Sequence, residues 1–431
     1  MTDHQTLLRW EKQHTWHPFT PMKPWIAEEH EPLFIVRGEG AWLIDMQGQP
    51  YLDGNSSIWT CIHGHGHPYL VEKVCAQAQT LAHSSFLGLT HPGAAELAAR
   101  LAGLTGLSRV FFSDDGSTAM EVALKMALEY HNHVGEPHRS RFVSFHHAYH
   151  GDTAAAASVG MIPKFHQYSP SLRFDVEKVD SLEELEKLPA THTQNLAAIV
   201  IEPLIQGVAG MQLWPAGMLK KLRAWCDAHR VLLIADEVMT GFGRTGKMFA
   251  CQHEEVLPDF LVLAKGLTGG MMPLAATLTT EKIFEAFLGE PSKAFYYGHS
   301  YTANPLGCAA ALASLDVFEN QKVLERVQVA IQVFHDALER LSRECRYVHE
   351  VRRLGLIAGI ELARNRSTAE RFDARANVGA QVCLAARKHG LLTRPIGDVL
   401  VLMPPLCSNP AEILQMVQAL ALAIREVCDP V

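Results

Sequence analysis

Two residues of this sequence can do chemistry together that neither does alone. Asp236 closes the apolar run Val231-Leu-Leu-Ile-Ala-Asp236, and Lys265 closes a second run, Phe260-Leu-Val-Leu-Ala-Lys265. Each run reads as a buried strand that delivers its last side chain at the carboxyl end. A buried carboxylate facing a buried amine matches the needs of pyridoxal 5′-phosphate. The carboxylate salt-bridges the pyridinium nitrogen, and the amine bonds the aldehyde. A lysine at a strand end reaches solvent more often than it bonds a cofactor, so the pair needs support from other residues.

Three further segments supply it. Ser113-Asp-Asp-Gly116-Ser117-Thr118 joins a strand to a helix start, where backbone amides and the helix dipole can converge on an anion. Alone, it reads better as an ordinary capped turn. Phe145-His-His-Ala-Tyr149-His150-Gly151-Asp152 follows another strand end, and Tyr149 can stack on a flat ring. Glu202 closes a further apolar run, Ala197–Glu202. All would meet at the carboxyl edge of one parallel sheet, where open α/β folds bind ligands.

Two other patterns carry less. Gly241-Phe-Gly243-Arg-Thr-Gly246 matches a dinucleotide fingerprint letter for letter, but it does not directly follow a strand, and Lys247–Glu254 is a poor helix start. It reads as a glycine-rich connecting loop. His63-Gly-His65-Gly-His67 could gather imidazoles for a metal, yet the glycines and Pro68 favour a turn, and no metal site is assigned.

These side chains need a scaffold. Strands are expected at Arg109–Ser113, Arg141–Phe145, Ala197–Glu202, Val231–Asp236, Phe260–Lys265 and Leu274–Thr279. A helix over Ser117–Tyr130 would start on a Thr118/Glu121 capping box, and another helix would cover Pro215–His229. Continuous apolar strands alternating with helices imply an α/β fold with a mostly parallel sheet covered on both faces. The last hundred residues change to amphipathic helices near 320–343 and 371–389, then a short strand at Leu400–Met403. The first 60 read as an irregular arm with short strands. The expected division is an arm and part of a small domain over 1–65, a large domain over 66–325 and a small C-terminal domain over 326–431.

Composition narrows the setting. Hydrophobic content of 48% with 19% charged residues is that of a globular enzyme, and a net charge of −8 offers nucleic acid no basic stripe. Nine cysteines, none in a C-x-x-C pair, suit reduced thiols in a cytoplasmic protein. The N-terminal residues lack a signal-peptide core, and no run of about 18 apolar residues would span a membrane.

Leu233-Ile-Ala-Asp236-Glu237-Val, Gly241-Phe-Gly-Arg-Thr-Gly246, Pro258-Asp259 and Ala264-Lys265-Gly266 together resemble the class-III (ω-type) aminotransferases of PLP fold type I. The likeness runs nearly the whole chain. Trp16-His-Pro-Phe-Thr20, Asp53-Gly-Asn-Ser-Ser57, Ser113-Asp-Asp-Gly-Ser117, Tyr149-His-Gly-Asp152, Gly298-His-Ser-Tyr301 and Arg394-Pro395 resemble one branch of that family. That branch aminates 7-keto-8-aminopelargonate to 7,8-diaminopelargonate in biotin synthesis.

The resemblance implies a large domain with a mostly parallel sheet, a smaller α+β domain built from both termini, and ping-pong kinetics. It makes Lys265 the cofactor-bonding and proton-moving amine, Asp236 the partner of the ring nitrogen and Tyr149 the cover of the ring. Asp115 and Gly116 would sit at the phosphate, with Ser117 starting the helix behind it. His299 and Ser300 would reach that phosphate from a neighbouring subunit, so the expected assembly is a homodimer with shared sites. Gly298 and Arg394 would contact the keto acid, the guanidinium taking its carboxylate. Phe19, Ile58 and Trp59 would line the substrate side, with Glu202 and Arg244 in supporting places.

Adenosylmethionine is the family's usual donor. Relatives that use it carry rings where this chain has Ile58, Ile396 and Val401, and a tyrosine at Phe19. Fewer rings weaken stacking on adenine and attraction for a sulfonium. With Asp398 able to attract an ammonium, the pocket physically favours lysine. Other readings are a general diamine or ω-amino-acid aminotransferase, a PLP-dependent aminomutase and, last, a non-catalytic PLP-binding regulator.

Overall fold

The chain opens on a helix, not an irregular arm. Helix α1 (His4–His14) starts where the Asp3 carboxylate accepts the Thr6 N–H. It carries no buried residue; Leu7 and Leu8 are half-buried. Three short antiparallel strands follow: β1 (Ile35–Glu39), β2 (Trp42–Asp45) and β3 (Pro50–Asp53). The computed structural model describes residues 3–160, 162, 165 and 170–429.

Helices α2 (Pro68–Thr80) and α3 (Pro92–Thr105) lead into the main sheet. Its strands are β4 (Arg109–Ser113), β5 (Arg141–Phe145), β6 (Glu177–Val179), β7 (Leu196–Ile201), β10 (Leu232–Asp236), β11 (Phe260–Leu263) and β12 (Ala275–Thr279). A small hairpin of β8 (Ile205–Gln206) and β9 (Gln212–Leu213) stands apart. The spatial order is β4-β12-β11-β10-β7-β5-β6. Pairing is parallel except at β12, which runs against both β11 and β4. The mostly parallel sheet expected from the apolar runs is present.

Those runs are continuous because both sheet faces are covered. Val143, Ile199, Leu233 and Leu261 point to one face and share a core with Met218, Leu222 and Trp225 of helix α6 (Met218–His229). Phe142, Val200, Ile234 and Phe260 point to the other and pack on Met120, Ala123 and Ala127 of helix α4 (Gly116–His133). Every residue of β7 is buried. Side chains alternate across a strand, so burial on both sides demands apolar residues at both parities.

Helix α4 starts differently from the sequence expectation. Its cap is Asp115, whose carboxylate accepts the Thr118 N–H while the Thr118 hydroxyl meets the Asp115 backbone. Glu121 instead accepts the N–H groups of Ala155 and Ala156 at the start of helix α5 (Ala154–Val159). The second strand end also shifts. β11 stops at Leu263, and Lys265 takes φ +36° at the head of a tight turn, Lys265–Thr268.

Helices α7 (Pro305–Asn320) and α8 (Val323–Glu344) lead to a second, antiparallel sheet. Its order is β13 (Val348–Leu354), β14 (Ile357–Leu362), β17 (Val399–Leu402), β16 (Pro395–Ile396). Helices α9 (Val378–Lys388) and α10 (Pro410–Cys428) pack on this part of the chain. Strand β15 (Leu391–Leu392) joins neither neighbour in sequence; it pairs in parallel with β3. Residues from opposite ends of the chain therefore complete one sheet.

Candidate active site

The carboxyl ends of β4, β5, β7, β10 and β11 surround a cavity of about 710 Å³. Asp236, the last residue of β10, presents its carboxylate there. One oxygen accepts a hydrogen bond from His150 Nδ1 at 2.7 Å, and the other accepts the Val238 N–H at 3.1 Å. His150 is buried, and its Nε2 has no partner among the described residues. The loop after β5 thus crosses the end of β7 to reach β10.

Glu202 makes that crossing possible. It sits just past β7, between the two, and accepts the backbone N–H groups of Tyr149 (3.1 Å) and Gly207 (2.8 Å). Burial, opposed by His150 and reinforced by the Asp236 charge, raises its carboxyl to about 7. Tyr149 hydrogen-bonds Asp152 through its hydroxyl at 2.6 Å. Burial and that acceptor raise its ionisation well above the usual phenol value, so it stays neutral.

Lys265 faces these carboxylates. Burial lowers its pKa, while Asp236 and Glu202 work the other way. Its Nζ lies 4.6 Å from the centroid of the Trp59 ring. Trp59 in turn belongs to an apolar cluster with Met239, Ile396 and Val401.

At the other end of the cavity, the Asp115 carboxylate turns toward its own helix, so it does not confront an anion placed there. Gly116 and Ser117 line the wall, at a helix start whose first N–H groups have no partner inside the helix. Gly151 lies against this turn at φ +117°; a Cβ there would stand 2.3 Å from Ser117 Oγ. The Ser117 hydroxyl meets Thr153 Oγ1 at 2.8 Å and accepts its N–H at 3.0 Å. These groups fit a cofactor whose phosphate would be held at the Gly116–Ser117 turn, whose ring nitrogen would be held by Asp236 and whose aldehyde would be bonded by Lys265.

The structure therefore brings together Trp59, Asp115, Gly116, Ser117, Tyr149, Glu202, Asp236 and Lys265. Other expected residues lie outside the cavity wall of this chain. Phe19 is exposed, with its ring 4.9 Å from Phe165, which is 6.1 Å from Tyr149. Ile58 and Arg394 are exposed. Gly298, His299 and Ser300 do not line the cavity; His299 Nδ1 lies 3.4 Å from the Asp114 carboxylate. Arg244 does not line it either: it is buried and donates to the Pro404 carbonyl at 2.5 Å and to Ser56 Oγ at 3.3 Å. It ties segments together instead of flanking the chemistry.

The remaining patterns resolve locally. Gly241–Gly246 lies in the loop between β10 and β11. His63 pairs with Ser314, His65 with Asp53 and His67 with Gln321, so the three rings serve three separate partners. His150 was missed as a partner of Asp236, and Asn55 as a partner of Trp59. The first depends on how loops cross; the second is a bond within one turn, whose left-handed backbone no residue type in Asn-Ser-Ser-Ile-Trp announces.

A model of the aminotransferase class-III family matches residues 25–424. The adenosylmethionine-8-amino-7-oxononanoate aminotransferase of Geobacter sulfurreducens is 47% identical over 449 residues, covering 99% of this chain and 98% of that protein. The solved structure of the enzyme of that name from Methanocaldococcus jannaschii superposes with a TM-score of 0.96 at 41% identity, covering 99% of this chain and 100% of the other. A PLP-bound amine transaminase from an uncultivated Pseudomonas species matches with a TM-score of 0.91 at 35% identity, over 96% of this chain and 99% of that one. The chain belongs to the class-III aminotransferases and is a pyridoxal-phosphate-dependent enzyme that transfers amino groups.

Proposed function

We propose that this enzyme aminates 8-amino-7-oxononanoate (7-keto-8-aminopelargonate) to 7,8-diaminopelargonate, with adenosylmethionine as donor. The observation that carries the chemistry is the buried His150–Asp236 pair facing Lys265 across one cavity. The substrate reading is supported by nearly full-length likeness to relatives named for that reaction. When bound, pyridoxal phosphate supplies an electron sink for the substrate carbon that loses its proton. Asp236 would hold the ring nitrogen, Tyr149 would cover the ring, and Gly116 and Ser117 would take the phosphate with Asp115 shaping their turn. Lys265 would bond the aldehyde. When unbonded and neutral, Lys265 would take the proton from the donor Cα and carry it as an ammonium. Its lowered pKa suits this alternation.

Lysine as donor is a second reading, favoured by one observation. Ile396 and Val401 join Trp59 in an aliphatic cluster, where further rings would be needed to stack on adenine. Purified enzyme supplied with 8-amino-7-oxononanoate and either donor separates the two when diaminopelargonate is followed by mass spectrometry. Product from adenosylmethionine is expected; product from lysine alone selects the second reading. Lys265→Ala should form none with either, and failure with the keto acid together with turnover of simple diamines on another carbonyl acceptor would replace the substrate reading.

The working unit we propose is a homodimer in the cytoplasm. Leu87, Leu89, Tyr296 and Tyr301 form exposed apolar surface beside residues 298–300, which lie off their own chain's cavity. A second copy would cover that surface and bring Gly298, His299 and Ser300 to its partner's site. Arg394, Phe19 and Ile58 are proposed as substrate contacts at the outer rim. All nine cysteines are free, which supports a reducing compartment. No helix among the described residues is long and apolar enough to cross a membrane.

A further inference from the structure

Four consecutive residues without a glycine among them, Ser56, Ser57, Ile58 and Trp59, hold φ between 43° and 70°. Side-chain-bearing residues rarely string this left-handed backbone together. Asn55 heads the turn and grips its last residue twice. The Asn55 carbonyl accepts the Trp59 N–H at 2.8 Å, and the Asn55 side-chain oxygen accepts the indole Nε1–H, also at 2.8 Å. Asn55 is itself buried, and its own N–H donates to Asp53 at 3.2 Å. The indole is thus anchored at backbone and ring, with its face on the Lys265 amine.

An indole face attracts an ammonium and is nearly indifferent to a neutral amine. The groups that face Lys265 otherwise change their charge with pH or are engaged elsewhere. Asp236 is bonded to His150, and Glu202, raised to about 7, is only partly charged near neutrality. Tyr149 stays neutral and holds Asp152, while Asp115 caps helix α4 and Asp114 stands by His299. The ring does not titrate.

We propose that Asn55 is a positioning residue for proton transfer: it holds the Trp59 indole against Lys265, and the ring favours the ammonium while the lysine is unbonded. The inference rests on the reading of Lys265 as the cofactor-bonding amine, and that reading is tested first. Borohydride should fix pyridoxal phosphate to the peptide containing Lys265; a label elsewhere overturns the reading itself.

With the label on Lys265, the enzyme is loaded with pyridoxamine 5′-phosphate, which leaves the lysine unbonded. Trace acetylation by isotopically labelled acetic anhydride, read by peptide mass spectrometry across pH, gives the midpoint at which Lys265 becomes reactive. Trp59→Leu should move that midpoint about one pH unit lower, and Trp59→Phe by less than half as much. Asn55→Ala should lower it in the natural background but not on top of Trp59→Phe, which has no indole N–H to lose. An unmoved midpoint in Trp59→Leu, or an equal Asn55→Ala effect in both backgrounds, overturns the proposal.

Discussion

His150 shows how one contact changes what a residue is for. A carboxylate taken out of water needs hydrogen-bonded partners, and Asp236 has a backbone amide and this imidazole. A hydrogen bond to a charged group contributes about 1.5–3 kcal/mol. Removing it with His150→Leu should weaken the hold on pyridoxal phosphate about ten- to hundred-fold, because a less firmly held Asp236 grips the ring nitrogen less well. Dialysis followed by the visible absorbance of retained cofactor measures this, and undiminished retention would reassign His150 to packing alone. Asp236 and Lys265 were legible in the sequence because each ends an apolar run, and position in a strand is a local property. The His150–Asp236 bond was not, since it depends on a loop passing over the end of β7. Arg244 misled for the same reason: its motif is local, but its partners Ser56 and Pro404 come from distant segments.

Among the elements, the left-handed turn at Ser56–Trp59 is the least expected. At roughly 1–2 kcal/mol per residue it is strained by several kcal/mol, which its surroundings must offset. Asp53 is central to that offset: it accepts the Ser57 hydroxyl at 2.8 Å and His65 Nε2 at 2.9 Å. Burial alone would lower the His65 pKa, but the bond to Asp53, with the Cys61 thiol near, raises it to about 9. Burial would raise the Asp53 pKa, but His65 and Ser57 hold it below the usual carboxylate value. The sign follows from linkage. The His65 share of stability is complete below about 6.5 and is lost as pH rises through about 9. The Asp53 share is present above about 3.8 and is lost as pH falls. His65→Gln should therefore destabilise the enzyme by about 1–2 kcal/mol near neutrality once solvent screening is allowed for, with the gap to the natural protein closing above pH 9. Denaturant titrations at the two pH values test this; a gap that persists at high pH would place the effect in packing. The strands of the main sheet were legible because burial on both faces writes itself into both parities. The turn was not: Asn-Ser-Ser-Ile-Trp has no glycine to announce positive φ, and local bonds from Asp53 and Asn55 combine with the distant Ser56–Met403 bond to hold it.

At the scale of the whole molecule, the cavity opens beside surface that a lone chain leaves bare. Leu87, Leu89, Tyr296 and Tyr301 are exposed, and the His83 and Tyr301 rings, 4.6 Å apart, bring the two segments together. Light scattering on the purified enzyme should give twice the 47.7 kDa chain mass, and Leu87→Glu with Leu89→Glu should shift it toward one chain while lowering turnover. A fully active monomer would sink the dimer proposal. The α/β class was legible from alternating runs, whereas the joining of β15 to β3 was not, because two-residue strands carry no period. That join has a consequence for biogenesis. Leu52 and Gly54 bond to Gly390 and Leu392, and Ser56 to Met403, so these partners leave the ribosome hundreds of residues apart. At about 5–20 residues per second, β3 waits tens of seconds for its neighbour. The main sheet can be translated in full while Trp59 still lacks its frame, so the nascent enzyme acquires that wall of its site only after Ile396, Val401 and Met403 have been made.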